Sequence, residues 1–502
     1  MRAPRVIAAA LCSALTIGAL WSGAVTAHPA GDAHATSFLR LAPASATASD
    51  VGLTPADIAS AYDLDGGSTG TVAIATAYAD PNLEADLAVY RARFSLPECS
   101  TANGCLTIVA PTEAPSDHET TSYIAGWGEE TSLDVDAVSA SCPDCHILVV
   151  EGNSDSIDDL GAAVNTAVGL GATAVSASWG DDEWSGWSSD SARYFTHPNV
   201  PIVAATGDDG FGTAAFPAAL PNVIAVGGTT LTSTTTGTST FAVHDVQGGS
   251  VTTATTSSTV AADRRALAKA KHTLAVAKHT LALAKASLRR ARVKRAHAST
   301  PHAAAHWRHR VQALTRSVSR ARKAGSAASK RVSAAETALV KAVLRDSSAK
   351  AAIAAKRGQT NRASWLETAW SGAGSGCSTV VPKPSWQPGT TCARRGTADI
   401  AADADPESGI LTYDTYGTSK DTDDGWMVAG GTSLAAPLVA GMLVRSGHAA
   451  AYSSAQPLYA NAGAFWDVTG GSNGDCGTAL CDAGTGYDGP TGLGSPRSLA
   501  SF

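Results

Sequence analysis

Five short runs of nearly uninterrupted apolar residues punctuate the chain: Thr71–Ala77, His146–Glu151, Thr173–Ser178, Pro201–Ala205 and Asn222–Val226. Runs of this length without polar alternation suit strands buried on both faces, so they predict a parallel sheet. Helical periodicity lies between several of them, as in Ser156–Val168. It recurs at Leu133, Ala137 and Val138, and again from Leu434 to Val444. Strand–helix alternation of this kind predicts an α/β fold: a doubly wound parallel sheet flanked by helices, with functional loops at the strand ends.

A different period occupies the middle of the chain. Leu267, Leu274, Leu281 and Leu288 recur every seven residues among Ala, Lys and Arg, the spacing of a coiled-coil seam. Ser299-Thr300-Pro301 ends that run, because proline cannot continue a helix interior. Val311, Leu314 and Val318, then Val332, Leu339 and Val343 beyond Gly325, predict a second helical stretch and hence a long antiparallel hairpin. Thr- and Ser-rich segments near Thr230–Thr240 and Thr252–Thr259 lead into it as loop or linker. At the start, Arg2 and Arg5 precede an apolar run from Val6 to Leu20 and small residues ending Ala24-Val25-Thr26-Ala27. That is the form of a cleaved secretory signal peptide, and the run is short for a bilayer span. The pattern thus divides the chain into a signal peptide (1–27), an N-terminal linker (28–50), a globular domain in two parts (51–241 and 364–502) and a linker with basic hairpin between them (242–363).

Charge sharpens that division. Ala262–Gly358 holds 24 Lys/Arg against 3 Asp/Glu, and the rest holds 13 against 41, so the net charge of −7 hides an acidic globule carrying a strongly basic insert. With 44% hydrophobic and 16% charged residues over 502, most of the chain can bury a core, and a largely disordered protein is excluded. No later stretch is long and apolar enough to cross a membrane, so the expected product is secreted and extracellular. Cys12 leaves with the signal; Cys99 and Cys105, Cys142 and Cys145, Cys377 and Cys392, and Cys476 and Cys481 form four local couples. They suggest four short-loop disulfides in an oxidising compartment. Cys142-Pro-Asp-Cys145 also has the form of a redox or zinc motif, but no second CxxC or nearby His pair accompanies it.

The strongest chemical signal is Gly430-Gly431-Thr432-Ser433-Leu434-Ala435-Ala436-Pro437. A serine at a helix start is commonly an ordinary N-cap, yet it also sits where amide dipoles favour developing negative charge, as a nucleophile needs. The subtilisin fold uses a similar GTSxxxP string, but its His-Gly-Thr-His motif is absent here. His118, His146, His197, His244 and His448 stand in unrelated contexts, so the base must be sought elsewhere. Glu130 and Asp134, four apart on a predicted helix, share a face. Adjacent carboxylates cannot both ionise cheaply, so such a pair can hold a proton and act as base toward Ser433. A solvated acidic pair is the bland alternative. Gly207-Asp208-Asp209-Gly210 follows a predicted strand; a protonated Asp208 can donate to an oxyanion, although Asp-Asp-Gly is also a common turn.

Together these segments resemble the sedolisin family, the serine-carboxyl peptidases on a subtilisin-like fold. The resemblance includes Leu53-Thr54-Pro55-Ala56-Asp57-Ile58-Ala59-Ser60-Ala61-Tyr62, Glu130-x-x-Leu133-Asp134, Ser176-Ala177-Ser178-Trp179-Gly180, Gly207-Asp208 and Gly430-Gly431-Thr432-Ser433. It implies a serine-type endopeptidase acting on proteins or peptides at acid pH. Ser433 would be its nucleophile, Glu130 the base, Asp134 the carboxylate linked to Glu130, and Asp208 the oxyanion acid. Ser178, Trp179 and Gly180 would pair with the substrate backbone. Asp467-Val468 and Gly484-Thr485-Gly486-Tyr487-Asp488 offer hard oxygen ligands. With Pro490-Thr491-Gly492-Leu493-Gly494-Ser495-Pro496, they imply one structural Ca2+ site held by Asp467, Asp488 and the carbonyls of Val468, Gly484 and Gly486.

Two features depart from the family pattern: the basic insertion, and the absence of a large prodomain between Ala27 and Leu53. The insert is open to several readings: a solvated hairpin, a tether to anionic cell-envelope polymers or membrane surfaces, or a piece that docks on its own acidic domain. It carries no base-reading motif for specific nucleic-acid binding, and a monomer is expected. The rival functions are a catalytically silent secreted binding or adhesion protein on a peptidase scaffold, and a subtilisin-type enzyme with an unrecognised histidine.

Overall fold

A computed structural model of the chain describes residues 33–42, 52–115, 119–234, 364–387, 389–417 and 425–502, with scattered positions between 266 and 331. The expected signal peptide and the leucine seam of the expected hairpin lie outside the described residues. Of the second helical stretch, residues 308–320 are helical, with Val311 and Val318 buried.

In chain order the elements begin with two short strands, β1 (Thr36–Ser37) and β2 (Arg40–Leu41). There follow α1 (Pro55–Ala61), β3 (Thr71–Ala77), α2 (Leu83–Arg93), β4 (Leu106–Val109), α3 (Thr121–Ser141), β5 (His146–Gly152) and α4 (Ile157–Gly169). Next come β6 (Ala174–Ala177), β7 (Trp179–Gly180), α5 (Trp187–Tyr194), β8 (Ile202–Ala205), β9 (Phe211–Thr213) and β10 (Ile224–Ser233). The second part supplies β11 (Trp365–Ala369), β12 (Ser375–Pro382), β13 (Arg394–Thr397), β14 (Ile400–Asp403), β15 (Ile410–Tyr413), β16 (Trp426–Gly430) and α6 (Thr432–Arg445).

The main sheet runs β11-β10-β8-β6-β3-β5-β4, with β14 also paired to β10. All its pairings are parallel except β10 with β11. From β3 the chain goes to the far edge at β4, returns through β5, and crosses to β6 on the other side of β3. Such a reversal opens a crevice at the carboxyl ends of the central strands. Both faces are covered. Val72 and Ile74 of β3 point into a core shared with α1, α2, α3 and α6, while Ala73 and Ala75 face a second core with α4 and α5.

Helix α3 is the unusual element. Thr120 caps it, and every residue from Trp127 to Ser141 is buried, the four acids Glu129, Glu130, Asp134 and Asp136 included. An acid buried without compensation is costly. Asp136 is compensated on one oxygen: its Oδ2 accepts from Thr412 Oγ1 at 2.8 Å and Tyr413 N at 3.0 Å, which ties β15 to α3. Glu130 and Asp134 are not so fully served. Helix α6 packs along α3 and crosses the central strands, and its N-terminus meets the residues just past the carboxyl ends of β6 and β8.

All four cysteine couples form disulfides: Cys99–Cys105, Cys142–Cys145, Cys377–Cys392 and Cys476–Cys481. The two parts of the domain join at an antiparallel pair, β10 with β11, in register through Ser233 and Trp365. Thr234 N donates to Ser364 O at 2.8 Å, so residues 235–363 leave and re-enter the fold where a hairpin turn would close. Residues 33–42 fall in the stretch whose sequence suggests a linker, yet they lie on the domain as β1 and β2. Among the described residues no helix is long and apolar enough to cross a membrane.

Candidate active site

Ser433 stands in the first turn of α6 and is fully buried. The residue before the helix, Gly431, has φ of 97°, and a β-carbon there would lie 1.8 Å from the Phe38 carbonyl oxygen and 2.7 Å from Asp208 Oδ2. Only glycine fits, by backbone conformation and by space. Pro437 lies four residues past Ser433, inside the helix. It has no N–H to give the Ser433 carbonyl, and that freed oxygen sits 3.3 Å from the Ser178 hydroxyl instead. The spacing of serine and proline thus turns a helix defect into a contact across the site.

The Ser433 hydroxyl lies 3.0 Å from Glu130 Oε2 and 3.1 Å from the Ser178 carbonyl, so its one proton can serve either. The Ser178 hydroxyl in turn donates to Asp134 Oδ1 at 2.6 Å. Glu130 and Asp134 share a face of α3 one turn apart, each with a second oxygen that has no hydrogen-bond partner among the described residues. Burial, and then the Asp134 charge, push the Glu130 carboxyl well above the usual carboxylate range, against the pull of the Ser433 hydrogen bond. Burial likewise raises Asp134, against the pull of Ser178. Two such carboxyls retain a proton between them at a pH where exposed carboxylates have lost theirs.

Asp208 follows β8 and reaches the α6 N-terminus, where its Oδ1 accepts from Thr432 N at 2.8 Å and Thr432 Oγ1 at 2.9 Å. Its Oδ2 accepts no hydrogen bond among the described residues, although Arg40 Nε stands 3.6 Å away. Burial lifts Asp208 to about 7, with the Arg40 charge as the first opposing influence. A carboxyl with one oxygen committed as acceptor and the other open can carry its proton on the open side.

Ser178, Trp179 and Gly180 lie just past the end of β6. Their backbone edge is paired, Gly180 with Thr36 and Trp179 with Ser37. The Trp179 side chain turns away into the core, where Nε1 donates to Ala75 O at 2.9 Å. Of the histidines weighed as a base, three are described and each bonds a carbonyl elsewhere: His146 to Gly104, His197 to Tyr194 and His448 to Phe502. His118 and His244 lie outside the described residues. Thr432, Phe38 and Arg40 also meet at the site. Thr432 belongs to the string that marks Ser433, but no motif flags Phe38 or Arg40.

The suggested cation ligands lie apart from this site. Asp467 Oδ2 accepts from Gly486 N at 2.9 Å, and Asp488 Oδ2 from Gly484 N at 3.0 Å, so both carboxylates converge on one loop. Asp488 and Val468 are buried. Asp488 Oδ1 is held by Thr491 N at 3.0 Å. Asp467 is half-buried and the Gly484–Gly486 loop is half-buried to exposed, so the two acids and the loop offer oxygen donors, the ligand type Ca2+ prefers, beside the surface.

Comparisons with known proteins follow this geometry. The model of the subtilase family matches residues 116–458. Kumamolisin of Bacillus sp. (strain MN-32) is 33% identical over 154 residues, 26% of this chain and 26% of that protein. Sedolisin of Pseudomonas sp. (strain 101) is 37% identical over 131 residues, 24% of this chain and 21% of that one. The matches thus span about a quarter of each curated relative. Among solved structures, Pseudomonas sedolisin (serine-carboxyl proteinase) complexed with two molecules of pseudo-iodotyrostatin is similar with a TM-score of 0.51 and 20% identity, covering 89% of this chain and 96% of that one. At that identity the likeness is one of fold.

Proposed function

The chain belongs to the subtilase family and is sedolisin-like within it, and from that premise we propose that it is a secreted serine-carboxyl endopeptidase working at acid pH. The observation that carries the reading is the contact of Ser433 Oγ with Glu130 Oε2 at 3.0 Å in a fully buried site. In this reading Ser433 attacks the peptide carbonyl carbon and its proton passes to Glu130. Asp134 lies one turn along and shares the proton load, while Ser178 keeps it oriented. The oxyanion takes a hydrogen bond from protonated Asp208, next to the positive end of α6. Glu130 then returns the proton to the leaving amine, and water hydrolyses the acyl ester. Acid pH follows from the roles: Asp208 donates only while protonated, and its carboxyl lies at about 7.

The backbone of Ser178, Trp179 and Gly180 holds the substrate as an added strand. Asp467 and Asp488, with the carbonyls of Val468, Gly484 and Gly486, hold one Ca2+, which supplies loop stability and no step of the chemistry. Export is supported by the four disulfides.

The test is an assay of the purified protein on a denatured protein substrate from pH 3 to pH 8, beside Ser433→Ala and Glu130→Gln, with calcium and with a chelator. Expected are acid activity, a loss of ~10³-fold or more in both variants, and a lower Tm after chelation. Inactivity at every pH would favour the silent binding protein. Neutral activity that survives Glu130→Gln would favour a histidine-dependent subtilisin.

A further inference from the structure

Asp208 stands in the short loop 206–210 between β8 and β9, and its carboxyl can meet an oxyanion only where that loop places it. One support of the loop is the segment 372–375, which runs into β12. It makes three backbone hydrogen bonds to the loop: Gly374 N to Gly207 O at 2.6 Å, Gly210 N to Gly372 O at 2.9 Å and Ser375 N to Gly210 O at 3.3 Å. The other support is Asn473, on the C-terminal segment beyond α6. Its carbonyl oxygen accepts from Phe211 N at 2.9 Å. The approach is close enough that a β-carbon on Gly210, whose φ is 76°, would lie 2.5 Å from that oxygen. The loop can therefore carry no side chain at this point.

The side chain of Asn473 reaches the first support. Its Nδ2 donates to Ala373 O at 2.6 Å and to Ser375 Oγ at 2.7 Å, in a residue only 5% exposed. One residue thus holds the loop through its main chain, and through its side chain holds the segment that braces the loop. Asn473 Oδ1 has no partner among the described residues, so the side chain contributes through its two N–H groups. Asn473 is itself anchored: its N donates to Cys481 O at 2.9 Å, beside the Cys476–Cys481 disulfide. The loop meets the nucleophile's helix at its opposite end, where Gly207 N donates to Thr432 Oγ1 at 3.0 Å.

We propose that Asn473 is a positioning residue for the oxyanion acid: it fixes where Asp208 stands by locking the 206–210 loop against residues 372–375. Among the described residues it makes no hydrogen bond to Ser433, Glu130 or Asp134, so it acts through the loop alone. The proposal rests on the peptidase reading and deepens it by adding a residue on which the aim of the Asp208 O–H depends. Aim matters because a misplacement of about 1 Å can cost about 10²-fold in rate. The rival role is that of an ordinary buried asparagine satisfying two acceptors, which affects folding and leaves the chemistry alone.

The experiment measures kcat and KM of the full chain on a quenched peptide at pH 4.5, with each protein corrected for its folded fraction by circular dichroism. The set is the wild type, Asn473→Leu, Ser375→Ala, Asp208→Ala, and each of the first two variants combined with Asp208→Ala. Leucine keeps the shape of asparagine and removes both donors. Expected for Asn473→Leu is a kcat lower by about tenfold with KM within about twofold, and a smaller fall of about threefold for Ser375→Ala. Once Asp208 is already alanine, neither change should cost more than about 1.5-fold, because the group being aimed is gone. Equal factors in both backgrounds, a raised KM with unchanged kcat, or a lower Tm with wild-type kcat would overturn the proposal and spare the peptidase reading. If Asn473→Leu does not fold, Ser375→Ala makes the same comparison, and an unchanged kcat there overturns the proposal too. A wild type inactive on every substrate ends both.

Discussion

Asp208 presents its two oxygens to two environments, and that asymmetry makes its role testable. Oδ1 is fixed by the amide and hydroxyl of Thr432, whereas Oδ2 accepts no hydrogen bond among the described residues and lies 3.6 Å from Arg40 Nε. Asp208→Asn keeps an acceptor for Thr432 and places an N–H on the Oδ2 side at every pH. Losing an oxyanion donor costs ~10²–10³ in rate, so Asp208→Ala is expected to fall that far at pH 4–5 and Asp208→Asn by about tenfold. The fall in kcat/KM from pH 5 to pH 8 is expected to be shallower in Asp208→Asn than in the wild type, since one titrating donor has gone. Equal losses in Asn and Ala would remove hydrogen-bond donation from its role. This residue was legible because a short acidic turn after a strand is a recognisable pattern, as were Ser433 before its Pro437 and the i, i+4 pair of Glu130 and Asp134. Arg40 and Phe38 were not. Their position depends on antiparallel pairing with residues far along the chain, and nothing local marks them. Ser178 was legible only in part: its backbone role came from a resemblance, while its hydroxyl on Asp134 appears only once β6 and α3 are packed.

Elements buried on both faces were the easiest to read. The five apolar runs fall within one or two residues of β3, β5, β6, β8 and the start of β10, because a run with no polar face has few other homes. The remainder of β10 was hidden by its Thr-rich sequence, which reads as loop until β11 pairs with it. The short strands β1, β2 and β7 carry no alternation to detect. The same β10–β11 pair gives a prediction about the insertion. Because Thr234 and Ser364 already face each other across the ladder, residues 235–363 can be replaced by Asn-Gly, a pair suited to a tight hairpin turn. A doubling of flexible loop length costs only about 0.6 kcal/mol in closure, so shortening the connection is expected to leave Tm unchanged or slightly higher. The excised stretch holds 25 Lys/Arg and 4 Asp/Glu, so the trimmed enzyme should keep its kcat/KM on a small peptide but lose salt-sensitive retention on an anionic resin. Collapse of Tm on excision would mean that the insert holds the domain together; unchanged retention would end its use as a tether.

At the scale of the whole molecule, the buried acids make an argument about the pH at which the protein is built to live. Burial raises Asp80, Glu151 and Glu407 to about 7, and lifts Glu130, Asp134, Asp136 and Asp403 well above the carboxylate range. In the unfolded chain these groups titrate near pH 4. Between about pH 4 and pH 7 the folded state therefore holds protons that the unfolded state has released, and stability falls as pH rises through that window. Repulsion adds to the trend, since the chain outside Ala262–Gly358 has 41 acidic residues against 13 basic. Most proteins lose stability on acidification because paired carboxylates are protonated; here these seven acids make no salt bridge among the described residues, so the sign reverses. Calorimetry of Ser433→Ala, chosen to suppress self-digestion, is expected to give a higher Tm at pH 4.5 than at pH 7.5. Glu151→Gln should narrow that gap, since a glutamine can still accept the 2.9 Å hydrogen bond from Asp80 N but has no proton to lose. A higher Tm at pH 7.5 would mean that these acids find compensation in solution, and the case for an acid-adapted fold would rest on the catalytic carboxyls alone.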